Sequence, residues 1–359
     1  MRVLIAPDSY GGTLTAATAA AAIAVGWAAA RPGDELVQAP CSDGGPGFVD
    51  VLSHTIGAIR EVEVDGPIDS RVQARWLLDD SDGGAEDRDR EPTAYVESAQ
   101  ACGLHLIGGK PSPGTALAAH SRGVGQLVAA ALDAGATRIV VGLGGSACTD
   151  GGRGFVTALG GLDAARDLLS GVRVTAATDV ENPLVGPDGA AYVFGPQKGA
   201  DSAAVALLED KNIQWAHDLA RATGRPVATL SGAGAAGGLG AALLALGATR
   251  VSGADVVAER TSQDEALRTA DLVITGEGRL DRQSLQGKAV VALARRARAR
   301  SVPVLALAGQ VDLDKEALIA AGIDDARSLV GIAGSVAAAM ADAPLHLKRL
   351  AELAARKYE

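Results

Sequence analysis

Short apolar runs recur along this chain, each stopped by proline, glycine or a carboxylate and each followed by an alanine-rich stretch. Val3-Leu4-Ile5-Ala6 is the first, read as a buried strand that ends at Pro7-Asp8-Ser9, and the alanines from about Thr15 to Ala30 predict a helix. The unit repeats with a strand over 35–39, the turn Ser42-Asp43-Gly44-Gly45 and a helix carrying Phe48, Val51 and Leu52. Asp8 and Asp43 then both fall just past strand C-termini, where open α/β sheets bind their ligands. After Asp271 the rhythm returns, with strands predicted over 272–275, 304–308 and 328–331 and helices near 289–300, 315–321 and 336–340.

Between these ends the period changes. Alternation over 60–64 and 71–77 predicts antiparallel strands, and the polar stretch from Asp79 to Pro92 predicts a surface loop. The fold class that follows is α/β with two domains: a discontinuous Rossmann-like or flavodoxin-like parallel-sheet domain from residues 1–60 plus 265–359, and an inserted α+β domain at 61–264. The active site is expected in the cleft between them.

Composition narrows the function classes. With 359 residues, 48% of them hydrophobic, the chain can bury a large core. Its 33 basic and 43 acidic residues give a net charge of -10 with no long basic run, which argues against nucleic-acid or anionic-membrane partners. A small anionic ligand then requires a locally basic pocket. Three scattered cysteines, Cys41, Cys102 and Cys148, indicate neither a disulfide framework nor a zinc site and suit a reducing cytoplasm. The five histidines show no metal-ligand spacing. Oligomeric state is left open, a homodimer included.

Three glycine clusters carry the candidate chemistry. Gly144-Gly145-Ser146-Ala147-Cys148-Thr149-Asp150 follows the apolar run 139–143, so its glycines and hydroxyls lie at a strand end leading into a helix, where either N-capping or phosphate binding accounts for them. Gly232, Gly234 and Gly237 spell GxGxxG after an apparent strand at 227–230, with Asp255 downstream; a dinucleotide fingerprint, a phosphate site and a tightly packed helix lead-in all fit. Gly276-Glu277-Gly278 follows the strand 272–275 and precedes Arg279, Asp281 and Lys288, and the context lacks the Walker A pattern. Lys198 sits in a Gly/Pro turn, where a plain surface lysine is the commoner case.

Read in order, Ala6-Pro7-Asp8-Ser9-Tyr10, Ser42-Asp43-Gly44-Gly45, Gly144-Gly145-Ser146, Asp179-Val180-Glu181-Asn182-Pro183-Leu184, Phe194-Gly195-Pro196-Gln197-Lys198-Gly199-Ala200, the Gly232 cluster and Thr275-Gly276-Glu277-Gly278-Arg279-Leu280-Asp281 resemble the type I glycerate kinase family across nearly the whole chain. The resemblance implies transfer of the ATP γ-phosphate to D-glycerate with Mg²⁺, usually at the 2-hydroxyl, in a cytoplasmic enzyme. It implies phosphate contacts at Gly144, Gly145, Ser146, Thr149, Gly232, Gly234 and Gly237, and metal ligands among Asp43, Asp179 and Glu277. Asp8, Asp179, Lys198 and Lys288 are the expected catalytic groups, with Ser9, Arg122, Asn182 and Arg279 toward the substrate. A kinase for a related hydroxy acid, a non-catalytic nucleotide-binding relative and an NAD-dependent dehydrogenase are the competing readings. Two departures stand out: Gly11 occupies a position where the family commonly has lysine, and the segment after Leu159-Gly160-Gly161 is shortened.

Overall fold

The computed structural model describes residues 1–68, 70–80, 91–286 and 289–358, and these divide into two compact units, 1–42 with 254–359 and 43–253. The first holds a five-stranded, all-parallel sheet in the order Asp325–Ser328, Val304–Ala308, Leu272–Thr275, Arg2–Ile5, Glu35–Gln38. Alternate residues of each strand face opposite sides. Val3, Ile5, Leu272, Ile274, Leu305 and Leu307 pack with Ile23, Trp27, Leu347 and Leu350 of the helices Ala16–Ala30 and Ala343–Ala355. Leu4, Val273, Val304 and Ala306 pack instead with Leu267, Val290, Leu293 and Ala294. A strand covered on both faces must be apolar throughout, which is why these runs read as continuous rather than alternating. Burial of one such large side chain contributes about 1.5–3 kcal/mol.

The second unit is built on a six-stranded sheet in the order Ala58–Asp65, Arg71–Asp79, Thr93–Glu97, Arg138–Gly142, Arg173–Ala177, Thr249–Val251. Its first three strands pair antiparallel and the remaining pairings are parallel. The parallel part places Glu97, Gly142 and Ala177 side by side at one edge. Loops leaving those residues therefore emerge together.

Several expected boundaries move. Residues 43–60 lie in the second unit, because the helix Phe48–Ser53 buries Phe48 against Tyr95 and the strand Ala58–Asp65 pairs with Arg71–Asp79. Residues 254–264 lie in the first, where Ala254 joins the core and the Gln263 amide donates to the Ala39 carbonyl at 3.1 Å. The strand expected at 328–331 runs Asp325–Ser328, since the Ser328 hydroxyl accepts from Gly331 N–H at 3.0 Å and starts the helix Leu329–Ala333. The strand expected at 227–230 is a set of turns. Most of the loop expected over 79–92, residues 81–90, lies outside the described residues, and Asp79 itself ends a strand.

Candidate active site

In the second unit the candidate residues collect at the C-terminal edge of three parallel strands. The Asp43 loop is laid directly on that edge: a Cβ on Gly44 would stand 2.7 Å from the Ala177 carbonyl oxygen, and Gly44 also adopts φ +90°. Only glycine permits this approach, and it carries the neighbouring Asp43 to the strand end from which Thr178 and Asp179 leave. The Asp43 carboxylate accepts from Gly45 N–H at 3.0 Å. The adjoining loop presents Gly144 half-buried and Gly145 exposed, then turns inward so that Ser146 and Thr149 are buried. The Thr149 hydroxyl is buried with no hydrogen-bond partner among the described residues. Asp150 caps the next helix, accepting from Ser121 N–H at 2.9 Å, Ser121 Oγ at 2.8 Å and Gly154 N–H at 2.9 Å. Bonds to the helix start and to Ser121 together occupy the Asp150 carboxylate.

Lys198 is not a surface lysine. It ends a single 3₁₀ turn, is 4% exposed, and its ammonium donates to Ser146 Oγ at 2.9 Å and to the Cys148 carbonyl at 2.6 Å. Burial pulls its pKa below the ordinary lysine value, and the Asp150 carboxylate acts in the opposite sense. The chain thus fixes a cation under the loop that begins at Gly144. Arg122 opens the helix Arg122–Asp133 and is half-exposed, with its guanidinium 3.9 Å from Asp65. The Asn182 amide is spent locally on the Asp188 carbonyl, at 2.8 Å.

The Gly232 cluster joins these residues as packing. Gly234 N–H donates to the Asn182 carbonyl at 2.9 Å, Gly232 N–H to the Glu181 carbonyl at 3.3 Å, and the Gly237 carbonyl accepts from Gly151 N–H at 3.0 Å. A Cβ on Gly237 would stand 1.9 Å from the Cys148 carbonyl oxygen. The dinucleotide reading needs a strand before Gly232, and residues 227–230 are turns with Val227 buried.

In the first unit, three loops meet at the corresponding edge of the parallel sheet. Asp8 N–H donates to the Gly276 carbonyl at 2.7 Å, Gly278 N–H to the Ser9 carbonyl at 3.3 Å, and Gly309 N–H to the Glu277 carbonyl at 2.9 Å. The Asp8 carboxylate accepts from Ser9 N–H at 2.6 Å. Glu277 is 5% exposed, and the buried Tyr10 hydroxyl donates to the Leu307 carbonyl. Burial, then the Glu277 and Asp8 charges, push the Tyr10 pKa far up; burial and Asp8 push the Cys41 thiol up to about 12. The Asp8 and Glu277 charges thus act in the same sense on one buried hydroxyl. Arg279 is exposed and paired with Asp312 at 2.5 Å. Lys288 lies outside the described residues.

Among the described residues no three His, Cys, Asp or Glu side chains form a metal-holding group. No described helix is long and apolar enough to cross a membrane.

One residue was missed by sequence reasoning. Glu97 ends the strand Thr93–Glu97, is 1% exposed, and its Oε2 accepts from Gly47 N–H at 3.1 Å and Val49 N–H at 3.2 Å. Its signal was a lone carboxylate closing an apolar run. Burial pushes its pKa up to about 7, with the Asp50 charge in the same sense and the two N–H groups opposing. A folded-state pKa above the unfolded value means the native protein takes up a proton more readily, so this stabilising contribution is present in acid and lost as pH rises from about 4.5 to about 7. The shift corresponds to a change on the order of 3 kcal/mol. Glu97→Gln is expected to flatten the fall in melting temperature between pH 5 and pH 7.5. A scanning-fluorimetry series identical to that of the parent would refute the assignment.

A family model described as the glycerate kinase family matches residues 3–167 and 161–359, two stretches that overlap just after Leu159-Gly160. The chain is 58% identical to an uncharacterised protein of Mycobacterium bovis over 99% of its own length and 91% of that protein. It is 38% identical to the glycerate 2-kinase of Escherichia coli K12, covering 94% of this chain and 92% of the relative. Among solved structures it superimposes on the crystal structure of a provisionally named glycerate kinase 2 from Salmonella typhimurium LT2 with a TM-score of 0.76, at 35% identity over 100% of this chain and 98% of the other.

Proposed function

The chain belongs to the glycerate kinase family, and on that premise we propose that it phosphorylates D-glycerate with ATP as donor, giving 2-phosphoglycerate in the cytoplasm. The observation that carries the reading is Lys198, a cation buried beneath the open Gly144–Gly145 turn in an otherwise acidic chain. Phosphoryl transfer asks chiefly for positioning and for charge stabilisation in a site that excludes water.

In the second unit, the exposed Gly145 and half-buried Gly144 let main-chain N–H groups come close to phosphate oxygens, with Lys198 supplying positive potential from below. Asp43 and Asp179 would hold Mg²⁺, which lends charge neutralisation to the transferring phosphoryl when bound. Magnesium arriving on nucleotide phosphates uses only one or two protein carboxylates, so this pair fits without a preformed three-carboxylate cluster. In the first unit, Asp8 orients the acceptor hydroxyl or takes its proton. Arg122 suits the glycerate carboxylate better than Arg279, because the Arg279 guanidinium is already engaged by Asp312. Gly234 and Gly237 act by packing.

Purified protein is expected to release ADP on addition of D-glycerate and Mg-ATP, faster than with L-glycerate or related hydroxy acids, with ³¹P NMR showing the 2-phospho ester. No D-glycerate-dependent ADP would overturn the reading. A 3-phospho ester would correct the position alone.

A further inference from the structure

We propose that Glu97 is a positioning residue for phosphoryl transfer, clamping the Asp43 loop onto the strand edge where the Gly144 loop begins. The inference rests on the functional reading above. Its structural half stands independently.

Consider what starts the helix Phe48–Ser53. Its N-cap is Gly47 at φ +96°, with no side chain to satisfy the free N–H groups of the first turn. A serine or aspartate there would cap the helix locally. The chain instead supplies the acceptor from Glu97, whose Oε2 takes both Gly47 N–H and Val49 N–H. Burying a carboxylate is costly, and a local cap would avoid that cost. What the distant carboxylate adds is a tie between two segments. Glu97 pairs in register with Gly142, and Ser98 N–H donates to the Gly142 carbonyl at 3.0 Å, so the clamp is anchored to the strand that opens into Gly144. On the other side Gly44 rests on the Ala177 carbonyl. Asp43 is therefore held between a glycine contact and a buried acceptor, in a setting where a displacement of about 1 Å costs on the order of a hundredfold in rate.

The charged neighbours of the clamp are few. Asp50, on the same helix, is paired with Arg75 at 2.7 Å, and Gln100 donates to Glu97 Oε1 at 3.4 Å.

Two measurements test this. Hydrogen exchange by mass spectrometry on the ligand-free protein is expected to show peptides spanning 43–53 exchanging at least tenfold faster in Glu97→Ala, with the strand Leu272–Thr275 unchanged. Unchanged exchange in 43–53 overturns the clamp, whatever the reaction proves to be. In kinetics with D-glycerate and Mg-ATP, Glu97→Ala is expected to lose about a hundredfold in kcat/KM. Glu97→Gln, whose amide oxygen still accepts both N–H groups, is expected to stay within about threefold of the parent. Equal losses in the two variants overturn the proposal. Added to Asp43→Ala, Glu97→Ala is expected to cost less than about threefold more; a full further hundredfold would show that Glu97 does not act through Asp43. If the parent releases no ADP with glycerate, the functional reading fails while the exchange result still decides the clamp.

Discussion

Replacing Lys198 with methionine is expected to lower kcat/KM for D-glycerate by about a hundred- to a thousandfold, the scale on which preorganised electrostatic groups act in water-excluded sites. Stability should change far less. Methionine fills most of the same volume and removes a buried charge, which offsets the partners lost by Ser146 Oγ and the Cys148 carbonyl, about 1–3 kcal/mol for groups left unsatisfied. The separation of the two effects is the informative result. A purely structural lysine would show the reverse order, with a large drop in melting temperature and kinetics within about fivefold of the parent in whatever protein remained folded. Arginine at this position should not rescue activity, because a guanidinium is larger than the ammonium and the site is 4% exposed.

The second large effect is on folding. Gly237→Ala would place a methyl group 1.9 Å from the Cys148 carbonyl oxygen, with Thr149 Cα at 2.8 Å, on a residue whose φ is +67°. Left-handed backbone costs a non-glycine residue about 1–2 kcal/mol, and overpacking against main chain adds about 1–3 kcal/mol or more. The sum is a substantial fraction of the stability of an ordinary domain. We expect the variant to be recovered largely insoluble, or with a melting temperature lowered by many degrees. Gly224→Ala is the matched comparison: it is left-handed too, at φ +71°, and nothing stands within 4 Å of the added methyl, so only the backbone term applies. If the two variants melt together, the close packing of Gly237 on the Gly144–Gly152 loop is refuted.

Legibility in the sequence follows the range of the interactions. Val3-Leu4-Ile5 and Leu272–Thr275 read correctly as strands because both faces of each are buried, which stamps an unbroken apolar run on the chain. The residues at 328–331 misread because a serine that ends a strand and caps a helix carries no periodicity of its own. Residues 227–230 misread as a strand because Val227 is apolar for a different reason, burial among Leu184, Ala190 and Leu219. The loop residues Asp8, Asp43 and Gly144 were legible through their position after strands. The burial of Lys198 was not: its partners Ser146 and Cys148 lie about fifty residues upstream, and only the fold brings them under the ammonium. Glu97 was hidden for the same reason, since the N–H groups it satisfies belong to a helix start far from it in the chain.

The strand Arg2–Ile5 sits between Leu272–Thr275 and Glu35–Gln38 in its sheet. On the ribosome, Val3, Leu4 and Ile5 leave the exit tunnel before most of the surfaces that will cover them exist. The entire 43–253 unit must be translated first, which at 5–20 residues per second takes on the order of ten to forty seconds. Through that interval the strand pair Arg2–Ile5 and Glu35–Gln38 lacks Leu272–Thr275, Val304–Ala308 and Asp325–Ser328 beside it and Trp27 lacks the helix Ala343–Ala355, and by its end every strand of the 43–253 unit has been made. Chain order thus lets the 43–253 unit complete its sheet before the sheet around Arg2–Ile5 can be completed.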